Sequence, residues 1–226
     1  MEQIIIEIRA AEGGTDSKLL VQDLKDIYLK TARVNNFDLK VIDSRDGFTS
    51  IWLTGKGVKQ LFRNESGPHR WLRIPPTEKR GRTQTSIITV ALVDPNDKLK
   101  FNFNRNEVDK QYTRSSGSGG QNVNKVNSCV VLTHTPTGIQ VKCQDTRDQW
   151  KNEEIAWQRL EEKLKLIEEE KWNQKVYQNR LDQVGSGSRS DKKRSYRIKE
   201  DIVIDHETGK QCSFKDFSRG KLELLS

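Results

Sequence analysis

The stretch Arg114-Ser115-Ser116-Gly117-Ser118-Gly119-Gly120-Gln121-Asn122-Val123-Asn124-Lys125 organises the rest of the chain. Gly117, Gly119 and Gly120 stand almost together among Ser and Asn, with a cation at each end. Such residues build no packed core. A glycine cluster marks backbone that needs positive φ or a very close approach to another surface. Gln121 carries an amide that donates and accepts hydrogen bonds but cannot ionise. Composition alone is equally well served by a plain surface turn. Two features favour a functional loop. Arg114 and Lys125 bracket it as if a phosphate backbone ran past, and strand-like runs at 108–113 and 129–134 hold it on a rigid base.

Outward from the loop, 226 residues are enough for a real core and for two domains. The net charge of +8 points to nucleic acid or another anionic surface, without saying which. Cys129, Cys143 and Cys212 are odd in number and show no CxxC spacing, so neither a disulfide framework nor a zinc site is expected. His69, His134 and His206 are scattered without metal-ligand spacing, and no metal or other cofactor is expected. The start of the chain is too short and acidic for a signal peptide, and no apolar run approaches a membrane span. A cytoplasmic, reducing setting and no membrane partner follow as expectations. The glycine loop lacks both the GxxxxGK[ST] pattern and a GxGxxG leading into a helix, so a nucleotide-phosphate cradle is the weakest reading.

Periodicity gives the elements. Residues 3–10 read as a strand, with Thr15 or Asp16 capping a helix that buries Leu19, Leu20, Leu24, Ile27, Tyr28 and Ala32 and ends at Asn35-Asn36. Strands follow at 38–42 and 49–53, a short helix at 58–62, and strands at 70–74 and 86–93. The last two flank a polar loop with Pro75, Pro76 and several cations, either an ordinary stiffened hairpin loop or a finger carrying hydroxyls and amides to base edges. A polar linker near 102–106 precedes the glycine loop and its strands. From about 148 a long helix presents Trp150, Trp157, Leu160, Leu164 and Ile167 as a core stripe, with character fading through 174–181. The run Gly185 to Arg194 is a flexible linker or a phosphate grip, 197–205 reads as a strand, and 214–225 as a terminal helix.

The glycine loop, followed in register by Val123-Asn124, by His134-Thr135-Pro136-Thr137-Gly138 and by Cys143-Gln144-Asp145, resembles the GGQ domain of class I bacterial peptide chain release factors. The resemblance extends along nearly the whole chain through Glu7-Ile8-Arg9-Ala10, Gly13-Gly14, Glu65-Ser66-Gly67, His69-Arg70, Thr85-Ser86 and Asp205-His206. It implies an α+β, two-domain fold: a mixed α/β codon-recognition superdomain and a GGQ domain whose small β-sheet packs on a long helix. The implied boundaries are 1–103 for codon recognition, 104–172 for the GGQ domain, and 173–226 for a segment returning to the first. Pro75-Pro76-Thr77 stands where the UAA/UAG-reading type carries Pro-x-Thr. The family's N-terminal helical domain has no counterpart before Met1, which implies a short form and does not carry over the recycling GTPase as a partner.

The resemblance assigns Gly119, Gly120 and Gln121 to ribosome-dependent hydrolysis of the peptidyl-tRNA ester, the protein not being a stand-alone enzyme. The Gln121 backbone N–H would stabilise the developing oxyanion or the leaving hydroxyl, a contribution of roughly 3–4 kcal/mol for one such donor. Gln121 is also the implied site of N5-methylation, so a glutamine methyltransferase is an expected partner besides ribosomal RNA, the mRNA stop codon and P-site peptidyl-tRNA; the protein itself is expected to be a monomer. Codon recognition falls to Gly13, Asp16, Leu72, Pro75, Pro76, Thr77, Gln84 and Thr85. Gln84 replaces a stacking His and Leu72 replaces a Gln, which weakens or alters reading, since base stacking is worth about 1–3 kcal/mol. Arg114, Lys125, Arg189, Lys192, Lys193 and Arg194 are the candidates for ribosomal RNA. The leading reading is a codon-directed termination factor. A rescue factor for stalled or damaged ribosomes, with little codon dependence, is the alternative, and a non-hydrolytic A-site decoy is disfavoured by the intact Gly119-Gly120-Gln121.

Overall fold

The computed structural model describes residues 1–97, 101–116, 125–185, 188, 190 and 192–225. The chain divides into two compact units, Met1–Lys98 with Val176–Ser226, and Leu99–Lys175. Each is mixed or layered α and β, in keeping with the expected fold class.

The first unit is built on an eight-stranded sheet. Its strands are β1 (Glu2–Ala10), β2 (Asp38–Arg45), β3 (Phe48–Gly55), β4 (Gly67–Arg73), β5 (Gln84–Val93), β9 (Arg194–Arg197), β10 (Ile202–Asp205) and β11 (Gln211–Ser213). They lie in the order β11-β10-β9-β4-β5-β1-β3-β2, antiparallel throughout except for the β4–β9 pair. Helix α1 (Thr15–Val34) buries Leu20, Leu24, Ile27, Tyr28 and Ala32 against Ile4, Ile6 and Ile8 of β1 and Ile51 and Leu53 of β3. These strand residues recur with a period of two, and the helix residues with a period of three and four, so one sheet face and one helix stripe close on each other. A short helix α2 (Val58–Phe62) seats Phe62 edge-on to Tyr28.

Three expectations about this unit are corrected. Leu19 is 38% exposed and lies outside the buried stripe. Neither Thr15 nor Asp16 caps α1. The N-cap is Gly14 at φ +62 with no side-chain cap bond, and the Asp16 carboxylate is turned inward to other partners. The predicted strand at 197–205 is instead the last residue of β9, a 3-10 turn at Ile198–Glu200 and β10, with the chain reversed at Asp201, whose φ is +55.

In the second unit β6 (Val108–Thr113), β7 (Cys129–His134) and β8 (Ile139–Cys143) form an antiparallel sheet in that order. Val130, Leu132, Val141 and Cys143 face the helix α3 (Gln149–Val184) at Ala156, Leu160 and Leu164. Trp150, expected in the stripe, is 71% exposed. The buried row instead runs 152, 156, 160, 164, one residue every four, and position 150 falls off it.

The expected fading of the helix through 174–181 is also corrected, since α3 continues to Val184. Within the first unit its last turns are held by polar contacts. Arg180 Nη2 donates to Glu7 Oε1 at 2.7 Å, and the Gln183 amide pairs with both backbone groups of Leu92 at 2.7 and 2.9 Å. These contacts do the work that an apolar stripe would otherwise do. Helix α4 (Phe214–Ser218), capped by Ser213 Oγ, is shorter than the expected 214–225 helix, and a 3-10 turn follows at Leu222–Leu224. No described helix is long and apolar enough to cross a membrane.

Candidate nucleic-acid interface

The β4–β5 hairpin gathers most of the residues expected to meet RNA bases. Leu72 pairs across it with Thr85, and Arg73 pairs with Gln84. Strand alternation puts Leu72 and Thr85 on one face and Arg73, Gln84 and Ser86 on the face turned to α1. Gly13 arrives from the turn before α1. Its φ is +137, and a Cβ there would lie 2.6 Å from Ser86 Oγ, so only glycine lets this turn lie on β5.

Asp16 is buried and its carboxylate is fully engaged. Oδ1 accepts from Arg73 Nε at 3.0 Å and Nη2 at 2.7 Å, and Oδ2 accepts from Ser86 Oγ at 2.7 Å. Arg73 Nη1 also donates to Asp23 Oδ2 at 2.6 Å. The two Asp16 oxygens thus bracket helix and hairpin together.

The loop between the strands presents Pro76 and Thr77 to solvent and buries Pro75. Its fold depends on Glu78, which sequence reasoning did not single out. The Glu78 N–H donates to Pro75 O at 3.0 Å. Glu78 Oε1 accepts from the Arg80 N–H at 2.8 Å, while Oε2 accepts from Gln84 Nε2 at 2.7 Å and Arg82 Nη2 at 3.2 Å. The Arg80 N–H first, then the Gln84 amide, hold the Glu78 carboxyl below its ordinary range.

The basic residues separate into two kinds. Arg114, Lys125 and Lys192 are exposed. Lys193 Nζ pairs with Glu207 at 2.7 Å. Arg194 is wholly buried, which corrects its expected place on ribosomal RNA. Its guanidinium pairs with Glu65 and, at 2.8 Å, with Asp205 Oδ2. The third cation of Lys192-Lys193-Arg194 is the first residue of β9, a strand buried from its start, and two carboxylates neutralise it there. Tyr28 donates to Glu65 at 2.7 Å, and His69 bridges Tyr196 Oη at 2.8 Å and Glu65 O at 2.9 Å. Burial, the largest influence, lowers the His69 pKa to about 4 and keeps the ring neutral. The Glu65, His69 and Asp205 positions of the family-like motifs are therefore scaffold. Arg189 lies outside the described residues.

Gly119, Gly120 and Gln121 also lie outside the described residues, but both edges of their loop are in place. Ser115 Oγ and Ser128 Oγ are 2.8 Å apart across the base. Gln144 grips Ser116 three times, accepting from its N–H at 3.1 Å and its Oγ at 3.3 Å and donating to its carbonyl at 3.2 Å. Fully buried Asn152 donates to Ser128 O at 2.7 Å and Thr146 O at 2.8 Å, and accepts from Thr146 N at 2.8 Å. The His134-Thr137 contact at 2.8 Å and Gly138 at φ +69 shape the β7–β8 turn. The role of Asn152 was missed, although it continues the 156, 160, 164 row and a polar residue in such a row has to find partners. Among the described residues, no group of three His, Cys, Asp or Glu side chains could hold a metal ion.

Residues 1–90 match the PCRF domain, and residues 97–207 match the RF-1 domain. Peptide chain release factor 1 of Borreliella afzelii (strain PKo) is 37% identical over 231 residues, which cover 99% of this chain and 65% of the relative. The protein of the same name from Acetivibrio thermocellus is 37% identical over 212 residues, 91% of this chain and 59% of the relative. Among solved structures, RF2 of Thermus thermophilus aligns with a TM-score of 0.56 at 30% identity, over 99% of this chain and 66% of that one. The chain thus spans less than two thirds of the length of these curated relatives. With a PCRF domain in the half that carries the hairpin and an RF-1 domain in the half that carries the glycine loop, the chain belongs to the release factor family.

Proposed function

We propose that this protein is a translation termination factor of the UAA/UAG-reading type. It binds the ribosomal A site, reads the stop codon through the 75–84 loop and promotes hydrolysis of P-site peptidyl-tRNA through Gly119-Gly120-Gln121. The observation that carries the reading is the hairpin itself. It sets Leu72 against Thr85 and extends Pro76 and Thr77 beyond them, a surface suited to base edges. The names of the relatives support termination over rescue.

Each group has a task in this reading. Thr77 and Thr85 offer hydroxyls that donate or accept, and the Gln84 amide meets the position between bases. The Asp16 carboxylate faces inward, so the α1 tip would contact RNA through the backbone at Gly13. Exposed Arg114 and Lys125 would sit on ribosomal RNA phosphate at the two ends of the glycine loop, and Lys192 would do so from the first unit. Gly119 and Gly120 let the backbone enter the peptidyl transferase centre. There the Gln121 N–H stabilises developing negative charge, and its side chain admits water while excluding larger nucleophiles. Gln121 is the position for N5-methylation by a glutamine methyltransferase, and ribosomal work places the protein in the cytoplasm.

The test is peptide release from purified ribosomal complexes carrying UAA, UAG, UGA, a sense codon or a truncated mRNA in the A site. Release on UAA and UAG with a low background on the others is the expected result. Release chiefly on truncated complexes would replace termination with ribosome rescue.

A further inference from the structure

The loop between β4 and β5 contains an unusual charge arrangement. Residues 79–84 are all exposed, yet the Glu78 side chain among them is only 5% exposed. Three donors of the same loop converge on it: the Arg80 N–H, the Arg82 guanidinium and the Gln84 amide. A carboxylate with water on every side gains little from leaving it unless several donors converge, as they do around Glu78.

We propose that Glu78 is a positioning residue for codon reading, its carboxylate holding the Pro75-Pro76-Thr77 turn and Gln84 in one arrangement before RNA arrives. The inference rests on the termination reading above. Two consequences follow from the bonds. The Glu78 N–H to Pro75 O contact closes the turn that displays Pro76 and Thr77, and the carboxylate joins that turn to Gln84, the first residue of β5. The loop is thereby closed on itself from 75 to 84. The amide of Gln84 is also fixed in its flip, because Nε2 must face Glu78 to donate to it. With Nε2 committed to Glu78, the carbonyl oxygen Oε1 of this exposed residue is the group left to accept a base N–H. A loop ordered in advance loses less freedom on binding, so the gain falls on the affinity for the stop-codon complex and on discrimination between third bases.

The experiment compares wild type, Glu78→Ala, Glu78→Gln, Gln84→Ala and the Glu78→Ala/Gln84→Ala double variant in peptide release on UAA, UAG, UGA and a sense codon. For Glu78→Ala the concentration giving half-maximal rate should rise about tenfold, with kcat within about twofold and a changed UAA:UAG ratio. Glu78→Gln, which keeps an acceptor for the Arg80 N–H, should lie between wild type and Glu78→Ala. On the Gln84→Ala background the further loss should be below about threefold, because the two residues act as a unit. Amide exchange at Arg80 should accelerate about tenfold in Glu78→Ala while the rest of the chain is unchanged, which separates loop order from global stability. A wild type active on stop codons with Glu78→Ala equal to it, a uniform kcat loss on all codons, or unchanged Arg80 exchange would each overturn this inference alone. A wild type silent on stop codons would overturn the termination reading, and this inference with it.

Discussion

Leu72 stands directly opposite Thr85 in the β4–β5 hairpin, an aliphatic side chain beside a hydroxyl on the same sheet face. Leucine offers no hydrogen bond to a base edge, so Thr85 is the polar group of the pair. Leu72→Gln places an amide next to it. Under the termination reading, one added hydrogen bond of about 1 kcal/mol raises kcat/KM on UAA or UAG roughly fivefold. Release rates on the two codons measure it, and an unchanged UAA:UAG ratio would show that the pair does not face the third base.

The glycines of the loop are predicted to matter for chemistry and not for binding. Gly119→Ala and Gly120→Ala should each lower the rate of peptide release on the order of 100-fold, the scale of losing one aligned donor. Ribosome binding measured by filtration should stay within about threefold of wild type. Equal losses in both assays would assign the glycines to docking.

The buried guanidinium of Arg194 supplies a stability prediction. Arg194→Met leaves Glu65 and Asp205 as uncompensated carboxylates in the core, and breaking such a pair from one side costs about 3–5 kcal/mol. Lys192→Ala, two residues earlier and exposed, should change stability by less than about 0.5 kcal/mol. Urea unfolding of the two variants separates a core cation from a surface one.

His69 predicts how stability depends on pH. Its folded pKa, about 4, lies below the ordinary value of 6.5, so the unfolded chain binds more protons between these limits. Stability is therefore fully present above about pH 6.5 and falls as pH drops towards 4. Between pH 7 and pH 5 the loss from His69 alone is about 2 kcal/mol. His206, lowered chiefly by burial, adds a loss of the same sign. Urea unfolding at the two pH values measures the sum, and His69→Gln should remove most of the difference.

Asn152 predicts the stability of the loop's base. Asn152→Ala strands the carbonyls of Ser128 and Thr146, with a cost of about 2–3 kcal/mol to the second unit. Release should slow more than ribosome binding weakens, because the edges of the Gly119-Gly120-Gln121 loop lose their common anchor.

Much of the fold was legible because one-sided burial writes itself into spacing. Ile4, Ile6 and Ile8 alternate, and Leu20, Leu24, Ile27 and Tyr28 recur at helical intervals. What stayed hidden was polar structure in the core and contact at long range. Arg194 ended a run of three cations, and a run of charge gives no sign that its last member turns inward to meet Glu65, 129 residues away. The end of α3 was hidden for the same reason, since Gln183 is held there by two hydrogen bonds to the backbone of Leu92, which leave no apolar period in the sequence. Glu78 looked like one more charge in a charged loop, and only the converging donors distinguish it. The candidate residues on β4 and β5 can be named one by one from the sequence, whereas the pairing of Leu72 with Thr85 belongs to the register and is not written in either segment.

The parallel pairing of β9 with β4 has a consequence for the order of synthesis. Residues 99–175 form a continuous stretch that holds all of its own strands, so the second unit can assemble as soon as it leaves the ribosome. The first unit cannot. Glu65 is made early and waits for its cation until Arg194 is translated, and until then β4 has no β9 to pair with and stands as an open edge of the sheet. The middle of the chain is thus ready to fold before the unit built from its two ends can finish.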